Sequence, residues 1–448
     1  ADPVPLLRVA RAAATADRPI SPYALTRLAT EAGPLPEPWP AAARTEFVSL
    51  LGAGSRAVAA LEALDQHGLL SRLIPEWEAV RFKAQHNPVH RFTVDRHLIE
   101  TAVQASALAE RVSRPDLLLV GSLLHDLGKG YPGDHSVVGA ALALPIATRL
   151  GFAAEDAQTI AALVRHHLLL PDTATRRDLA DPSTVQIVVG AIDGSAELLD
   201  LLHALTIADA AATGPAAWSD WKASLISQLV RRTHQVLGGG SLPAAEPPSA
   251  AVLELARRGE TRVAIEGSDI IVVAPDGPGL LSSASGLLAL HSLDVQAAEV
   301  RTEEGMAVNR FTVSPRFGEL PDPALLNSDL RRILAGTVEL DRRLRAKEAT
   351  YRVAEQQPVA PPRLLWFDDE ATDATVLEVR TRDAIGLLHW ITVALERCGV
   401  DIRSARISSL GAHVVDAFYL TDSDGKPLSM EHQDAVEVAM TSALGSSA

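Results

Sequence analysis

Along the first 238 residues the apolar positions recur at three- and four-residue spacing, the period of amphipathic helices. Beyond residue 262 short alternating runs interleave with helical ones, as in a layered α+β fold. At the front, helices are expected at Val4 to Ala14, Ser21 to Ala32, Arg44 to Leu51, Ala57 to His67 and Leu69 to Ile74, with a Pro-rich turn at Pro34 to Pro38. The nearly unbroken apolar run from Leu117 to Leu127, opened by Pro115 and stopped by Gly128, predicts a helix buried on all sides. Adjacent His125 and Asp126 occupy its last turn. An amphipathic helix through about Arg111 precedes it, and helical patterns follow at His135, at Glu155 to Leu168 and at Leu199 to Ala212.

Length and composition narrow the classes. A chain of 448 residues that is 47% apolar holds several domains with cores of their own. The boundaries expected are a helical region at 1–80, an all-α domain at 81–238, a Gly/Pro/Ser linker at 239–262, and two α+β units at 263–368 and 369–448. A net charge of −15 with no basic run argues against a nucleic-acid partner. The single cysteine, Cys398, permits no internal disulfide and suits a reducing cytoplasm. No segment approaches the ~20 apolar residues of a membrane span. The abrupt helical start after Ala1 suggests a fragment, and Gly54-Ser55 is read as a helix entry because no Asp-x-Asp pair follows to hold magnesium.

The candidate chemistry sits in the helical half. A buried imidazole or carboxylate without a partner is costly, so the His125-Asp126 doublet has to be hydrogen-bonded or bound to a cation. Neighbours on a helix lie about 100 degrees apart, so both reach one ion only where the helix ends. His97 before the doublet and Asp209 after it, both on predicted helices, complete an H...HD...D set of imidazole and carboxylate donors suited to a divalent ion, Mg or Mn first, Fe or Zn as alternatives. Such a site favours hydrolysis of a phosphoester. His135, His166 and His167 are candidates for a second metal position or for a general acid, with His167 preferred to His166 for facing the cavity. Lys129 is placed to neutralise a phosphate oxygen.

The α+β half contains an internal repeat. Asp276-Gly277-Pro278-Gly279-Leu280-Leu281 matches Asp383-Ala384-Ile385-Gly386-Leu387-Leu388 at an offset of 107 (383 − 276), and the same offset pairs Leu293-Asp294-Val295 with Val400-Asp401-Ile402 and Phe311 with Phe418. Each repeat reads as the ferredoxin-like plan βαββαβ, with the strand Arg363 to Phe367 closing the sheet of the first. The Asp-x-x-Gly turn before each repeat's first helix aims backbone N–H groups at a ligand carboxylate.

These motifs resemble those of the bifunctional uridylyltransferase/uridylyl-removing enzymes that modify PII nitrogen-signalling proteins. The resemblance rests on His90-x-Phe92-Thr93-Val94-Asp95-x-His97, on Leu124 to Gly130 with Gly133 to Ser136, on Val164 to Leu169, and on Ala208 to Thr213 with Trp218 and Trp221-Lys222. It implies a multidomain chain, an all-α HD domain followed by two α+β ACT domains, in which the HD domain hydrolyses a nucleotidyl group from a tyrosine of modified PII and the ACT pair senses glutamine as allosteric effector. By position, His97, His125, Asp126 and Asp209 would be metal ligands, with His135 and His167 next in line, and His125, Asp126, Lys129 and His167 would serve catalysis. Asp276, Gly277, Pro278, Gly279 and Leu280, with Asp383, Ala384, Gly386 and Leu387, would hold glutamine; Ile385 replaces a family Pro, which makes the first turn the stronger expectation. The family's nucleotidyltransferase signature is missing, so the chain is expected to remove nucleotides and not attach them. UMP and AMP conjugates both remain open. Two other readings remain: an HD hydrolase of free nucleotides such as guanosine polyphosphates, and a non-catalytic glutamine-sensing scaffold.

Overall fold

The computed structural model describes residues 4–85, 91–177, 179, 181–214, 220–241, 248–351, 361–367, 374–410 and 413–445. His90, Trp218 and the linker residues 242–247 lie outside them. The chain divides into two compact units, one of Ala1–Ala174 with Val185–Ser241, the other of Leu242–Ala448 with Thr175–Thr184. Among the described residues no single helix is long and apolar enough to cross a membrane.

The first unit is all helical. Helices α1 (Pro5–Thr15), α2 (Pro22–Glu31), α3 (Ala41–Leu51), α4 (Ser55–Gln66) and α5 (Leu69–Leu73) follow the apolar spacing, and Ser21 caps α2 by accepting the Ala24 N–H at 3.2 Å. Next come α6 (Val94–Ser106), α7 (Pro115–Leu124), α8 (His135–Arg149) and α9 (Ala154–Arg165). The series closes with α10 (Leu169–Arg176), α11 (Pro182–Ala191), α12 (Ala196–Thr213) and α13 (Asp220–Leu237). Every residue of α7 from Leu117 to Leu124 is buried, so this helix is the unit's axis, packed against α6, α9 and α12.

Gly128 does not stop α7 as expected. The helix ends at Leu124, and a 3-10 turn covers Leu127–Gly130. Gly128 serves close packing: a Cβ there would stand 2.0 Å from the His135 carbonyl oxygen and 2.7 Å from the Gly139 nitrogen. Its lack of a side chain lets the start of α8 lie directly on the turn that carries the doublet.

Among the described residues the second unit forms one antiparallel sheet of eight strands under helices. Helix α14 (Ala250–Arg257) leads into β1 (Arg262–Glu266) and β2 (Asp269–Pro275), then α15 (Leu280–Leu290), β3 (Leu293–Glu303), β4 (Met306–Pro315), α16 (Pro323–Leu334) and α17 (Leu340–Tyr351). The second half runs β5 (Arg363–Phe367), β6 (Thr375–Arg382), α18 (Leu387–Arg397), β7 (Asp401–Leu410), β8 (His413–Thr421) and α19 (Met430–Gly445). The strand order is β1-β2-β4-β3-β7-β8-β6-β5. At its centre Ala298 of β3 faces Ala405 of β7, two positions separated by the repeat offset of 107 (405 − 298). A register shift at Val295/Ala297 recurs at Ile402/Ser404, so even the irregularity is duplicated. The helices obey the same pseudo-symmetry: Ser285 meets Thr392 at 3.3 Å, and His389 bonds the Ser282 carbonyl at 2.7 Å.

Two expectations are corrected. Arg363–Phe367 pairs with β6 of the second half, not with the first. Each half therefore reads ββαββα, its edge strand preceding the core rather than following it. The helical pair α16–α17 separates β4 from β5, whereas β1 reaches β2 through a short hairpin, and antiparallel neighbours are made most cheaply by short connections. The linker predicted at 239–262 also contains α14, whose Val252 and Ala256 pack beneath Ile271 and Val273. The edge strand β1 is blunted by Asn327 of α16, which accepts the Val263 N–H at 2.8 Å and donates to the Val263 carbonyl at 2.9 Å.

Candidate metal centre

The His125-Asp126 and His166-His167 doublets each sit where a helix stops. His125 caps α7, His166 caps α9, and in each place the chain turns so that one imidazole folds back on its own helix. His125 Nδ1 lies 2.9 Å from the Ser122 carbonyl and His167 Nδ1 lies 2.7 Å from the Val164 carbonyl. A ring nitrogen facing a carbonyl carries the proton, which leaves Nε2 of each ring as a lone-pair donor pointing the other way. His97, in the first turns of α6, Asp209 on α12 and His135, the first residue of α8, approach from three further directions. Asp134 fixes that end of α8 by accepting the N–H groups of Ser136 and Val137 at 2.9 and 3.0 Å.

The result is a row of four imidazoles, His97, His125, His167 and His135, with successive ring centroids 5.3, 5.2 and 5.3 Å apart. Asp126 lies along the row. Its Oδ2 is 3.7 Å from His97 Nε2 and 3.5 Å from His125 Nε2, while its Oδ1 is 3.6 Å from both His135 Nε2 and His167 Nε2. Asp209 Oδ1 closes one end, 3.0 Å from His97 Nε2 and 3.6 Å from His125 Nε2. Two sets of donors follow, His97–His125–Asp209 and Asp126–His135–His167, each with its ligand atoms within 4.8 Å of one another. His166, half-buried, belongs to neither set.

The residues present fit a divalent cation. His125 Nε2 and Asp126 Oδ1 are buried and make no hydrogen bond, a costly state that coordination relieves. Burial opposes ionisation of Asp126, yet His125, Lys129 and His167 outweigh it and hold its carboxyl well below the usual range. Asp209 is likewise held low against its burial, by the neighbouring imidazoles of His125 and His97. Burial and the neighbouring His125 push His167 down to about 4, so it is a neutral donor at physiological pH. Imidazole nitrogens with carboxylate oxygens suit Mn, Fe or Zn, and Mg less well.

Lys129 Nζ sits 2.5 Å from Asp126 Oδ2 and donates to Gln85 Oε1 at 3.0 Å. Gln85 carried no local signal in the sequence; it is legible only once the chain before α6 is folded back over the 3-10 turn.

In the second unit the two Asp-x-x-Gly turns share one backbone form. Gly279 and Gly386, the caps of α15 and α18, both take positive φ, 83° and 79°. Their surroundings differ. A Cβ on Gly277 or Gly279 would meet nothing within 4 Å, so the turn that carries Asp276, Pro278 and Leu280 is open. A Cβ on Gly386 would meet Leu344 of α17 at 3.4 Å and the Trp390 indole nitrogen at 3.5 Å. Asp383, Ala384, Gly386 and Leu387 line a cavity whose other polar walls include Asp294, Arg316, Lys347 and Asp416. Arg316 bridges Asp294 at 2.8 Å and Asp383 at 3.5 Å. Burial raises the Asp383 carboxyl against the pull of Arg316. The cavity thus lies at the second turn, where the missing Pro had made a ligand the weaker expectation. Arg316 and Lys347 were not singled out, since neither belongs to the repeated motif.

Residues 94–211, which carry all six residues of the candidate cluster, match the family model described as HD domain, and this is the class of that helical segment. The chain belongs to the family that the motifs suggested, the bifunctional uridylyltransferase/uridylyl-removing enzymes. The chain is 45% identical to the bifunctional uridylyltransferase/uridylyl-removing enzyme of Mycobacterium tuberculosis, an alignment that covers 100% of the chain and 57% of that relative. It is 44% identical to the protein of that name from Streptomyces coelicolor over 95% of the chain and 57% of the relative, and 34% identical to that of Gluconobacter oxydans over 85% and 47%. The chain thus spans little more than half the length of these relatives.

Proposed function

We propose that the helical unit is a metal-dependent phosphodiesterase that removes a nucleotidyl group, UMP or AMP, from a tyrosine of a PII signalling protein, and that glutamine regulates it through the paired repeats. The observation that carries this reading is Asp126, whose two carboxylate oxygens each face a different pair of imidazoles. His97, His125 and Asp209 would hold one ion and His135 and His167 a second, with Asp126 shared between them. Bound there, divalent ions supply a water acidic enough to attack phosphorus and a charge for the phosphoryl oxygens. Lys129, one bond from Asp126 and partly exposed, adds a cation for a phosphate oxygen.

For glutamine, the support is the cavity at the second turn, where carboxylates of Asp294 and Asp383 and the cations Arg316 and Lys347 offer both signs of charge to a zwitterion. The test is release of nucleotide from PII-UMP and PII-AMP by the metal-loaded chain, with and without glutamine. Release from at least one conjugate is expected. Hydrolysis of free guanosine polyphosphates instead, with neither conjugate touched, would favour a free-nucleotide hydrolase; no hydrolysis at all would leave a glutamine-sensing scaffold.

A further inference from the structure

Phe82 combines three features that core packing does not explain. It is a non-glycine residue in left-handed backbone geometry, φ 54°, and its side chain stands 71% exposed. It is nevertheless rigidly held. The buried carboxylate of Asp95 accepts the Phe82 N–H at 2.8 Å, and Asp95 lies two residues before His97 on α6. One step on, the Lys83 carbonyl accepts the Val94 N–H at 2.9 Å. The ring is also covered on one face: the Arg81 guanidinium stands 5.1 Å from its centroid, and Arg81 is fixed by Asp65, which accepts from its Nε at 2.9 Å.

The position is bracketed by the metal centre. Three residues earlier, Ala79 packs so closely on Gly130 that a Cβ on that glycine would lie 2.7 Å from the Ala79 Cβ. Three residues later, Gln85 bonds Lys129, whose Nζ touches Asp126. Three extended residues reach at most about 11 Å, so the Phe82 backbone lies within about 11 Å of both Ala79 and Gln85, the two residues that contact the 3-10 turn after Asp126.

We propose that Phe82 is the stacking platform for the base of the nucleotidyl group, the free face of its ring receiving a flat heterocycle while the phosphate lies at the metal centre. A guanidinium behind an aromatic face and strained backbone holding that face outward together form a site preset for a planar partner, and stacking is tolerant of base identity. This inference rests on the phosphodiesterase reading, and its prediction is separable from it. With the manganese-loaded full chain, calorimetry should show UMP and AMP binding weakened about tenfold, equivalent to about 1.4 kcal/mol, by Phe82→Ala, with ribose 5-phosphate, which has no base, bound as before. Phe82→Trp should restore UMP affinity and show indole fluorescence quenched on binding. Equal weakening of all three ligands, or UMP affinity unchanged in Phe82→Ala, would overturn the proposal. If unchanged UMP affinity came with slower hydrolysis of the protein conjugate alone, Phe82 would instead be a protein-docking contact. Failure of the parent reading looks different: no conjugate is hydrolysed although UMP still binds through Phe82.

Discussion

The metal centre and the second Asp-x-x-Gly turn are both crowded with charge, and they solve that crowding in opposite ways. At the metal centre the demand is unmet: buried His125 Nε2 and Asp126 Oδ1 lack hydrogen bonds, and two carboxylates lie among four imidazoles. At the turn the two cations already have partners. Arg316 spans Asp294 and Asp383, and Lys347 Nζ donates to the carbonyls of Ala289 and Leu290 and to Ser292 Oγ at 2.7 to 2.8 Å. A site with unmet demand takes its ion as part of the structure. One whose cations are already paired must exchange partners to take up a ligand.

The largest test of this contrast is Asp126→Ala. Removing the shared carboxylate should abolish tight metal binding, and hydrolysis should fall by more than about a hundredfold, the upper range for losing a mere outer partner of a ligand. Retention of metal and activity would put the ion elsewhere. Next is Gly128→Ala, which replaces no ligand side chain. Because the new methyl would collide with backbone of His135 and Gly139, it should cost at least about 3 kcal/mol in urea unfolding and release metal with it. Metal content unchanged in a folded Gly128→Ala protein would show that the site does not depend on that close contact.

In the second unit, Lys347→Met keeps the apolar stem but strips three hydrogen bonds from the end of α15. Stability should drop by about 2 kcal/mol with metal content unaffected. A parallel loss of metal would contradict the division of roles.

A smaller effect is expected from pH. His167 in the folded chain titrates at about 4, below its ordinary 6.5, so the unfolded chain takes up this proton first as the solution is acidified. Its share of stability is present above pH 6.5 and is lost as pH falls toward 4. His125 is shifted the opposite way: Asp126 and Asp209 outweigh its burial and raise it, so its contribution fades as pH rises through the raised value. The urea midpoint of metal-free protein should therefore fall between pH 6.5 and 4, and His167→Gln should flatten that fall.

The comparison also explains what could be read from sequence. The doublet, His97 and Asp209 announce themselves because ionisable groups embedded in apolar helices need a reason, and the repeat announces itself through a gapless register that the sheet reproduces at Ala298 and Ala405. The parts that escaped depend on contacts distant in sequence. Nothing local in Arg363–Phe367 says which half of the sheet it joins. Gly128 looks like any helix-stopping glycine until α8 is laid against it, and Lys347 is one cation among several on a charged helix until the end of α15 is beneath it. The second turn, apparently weakened by Ile385, gains its walls from α17, which lies outside the repeat.

The most direct measurement is anomalous diffraction at the manganese edge from crystals grown with that metal. Two peaks should flank Asp126, one against His97, His125 and Asp209, the other against His135 and His167. Six ordered side chains with no peak among them would contradict the account.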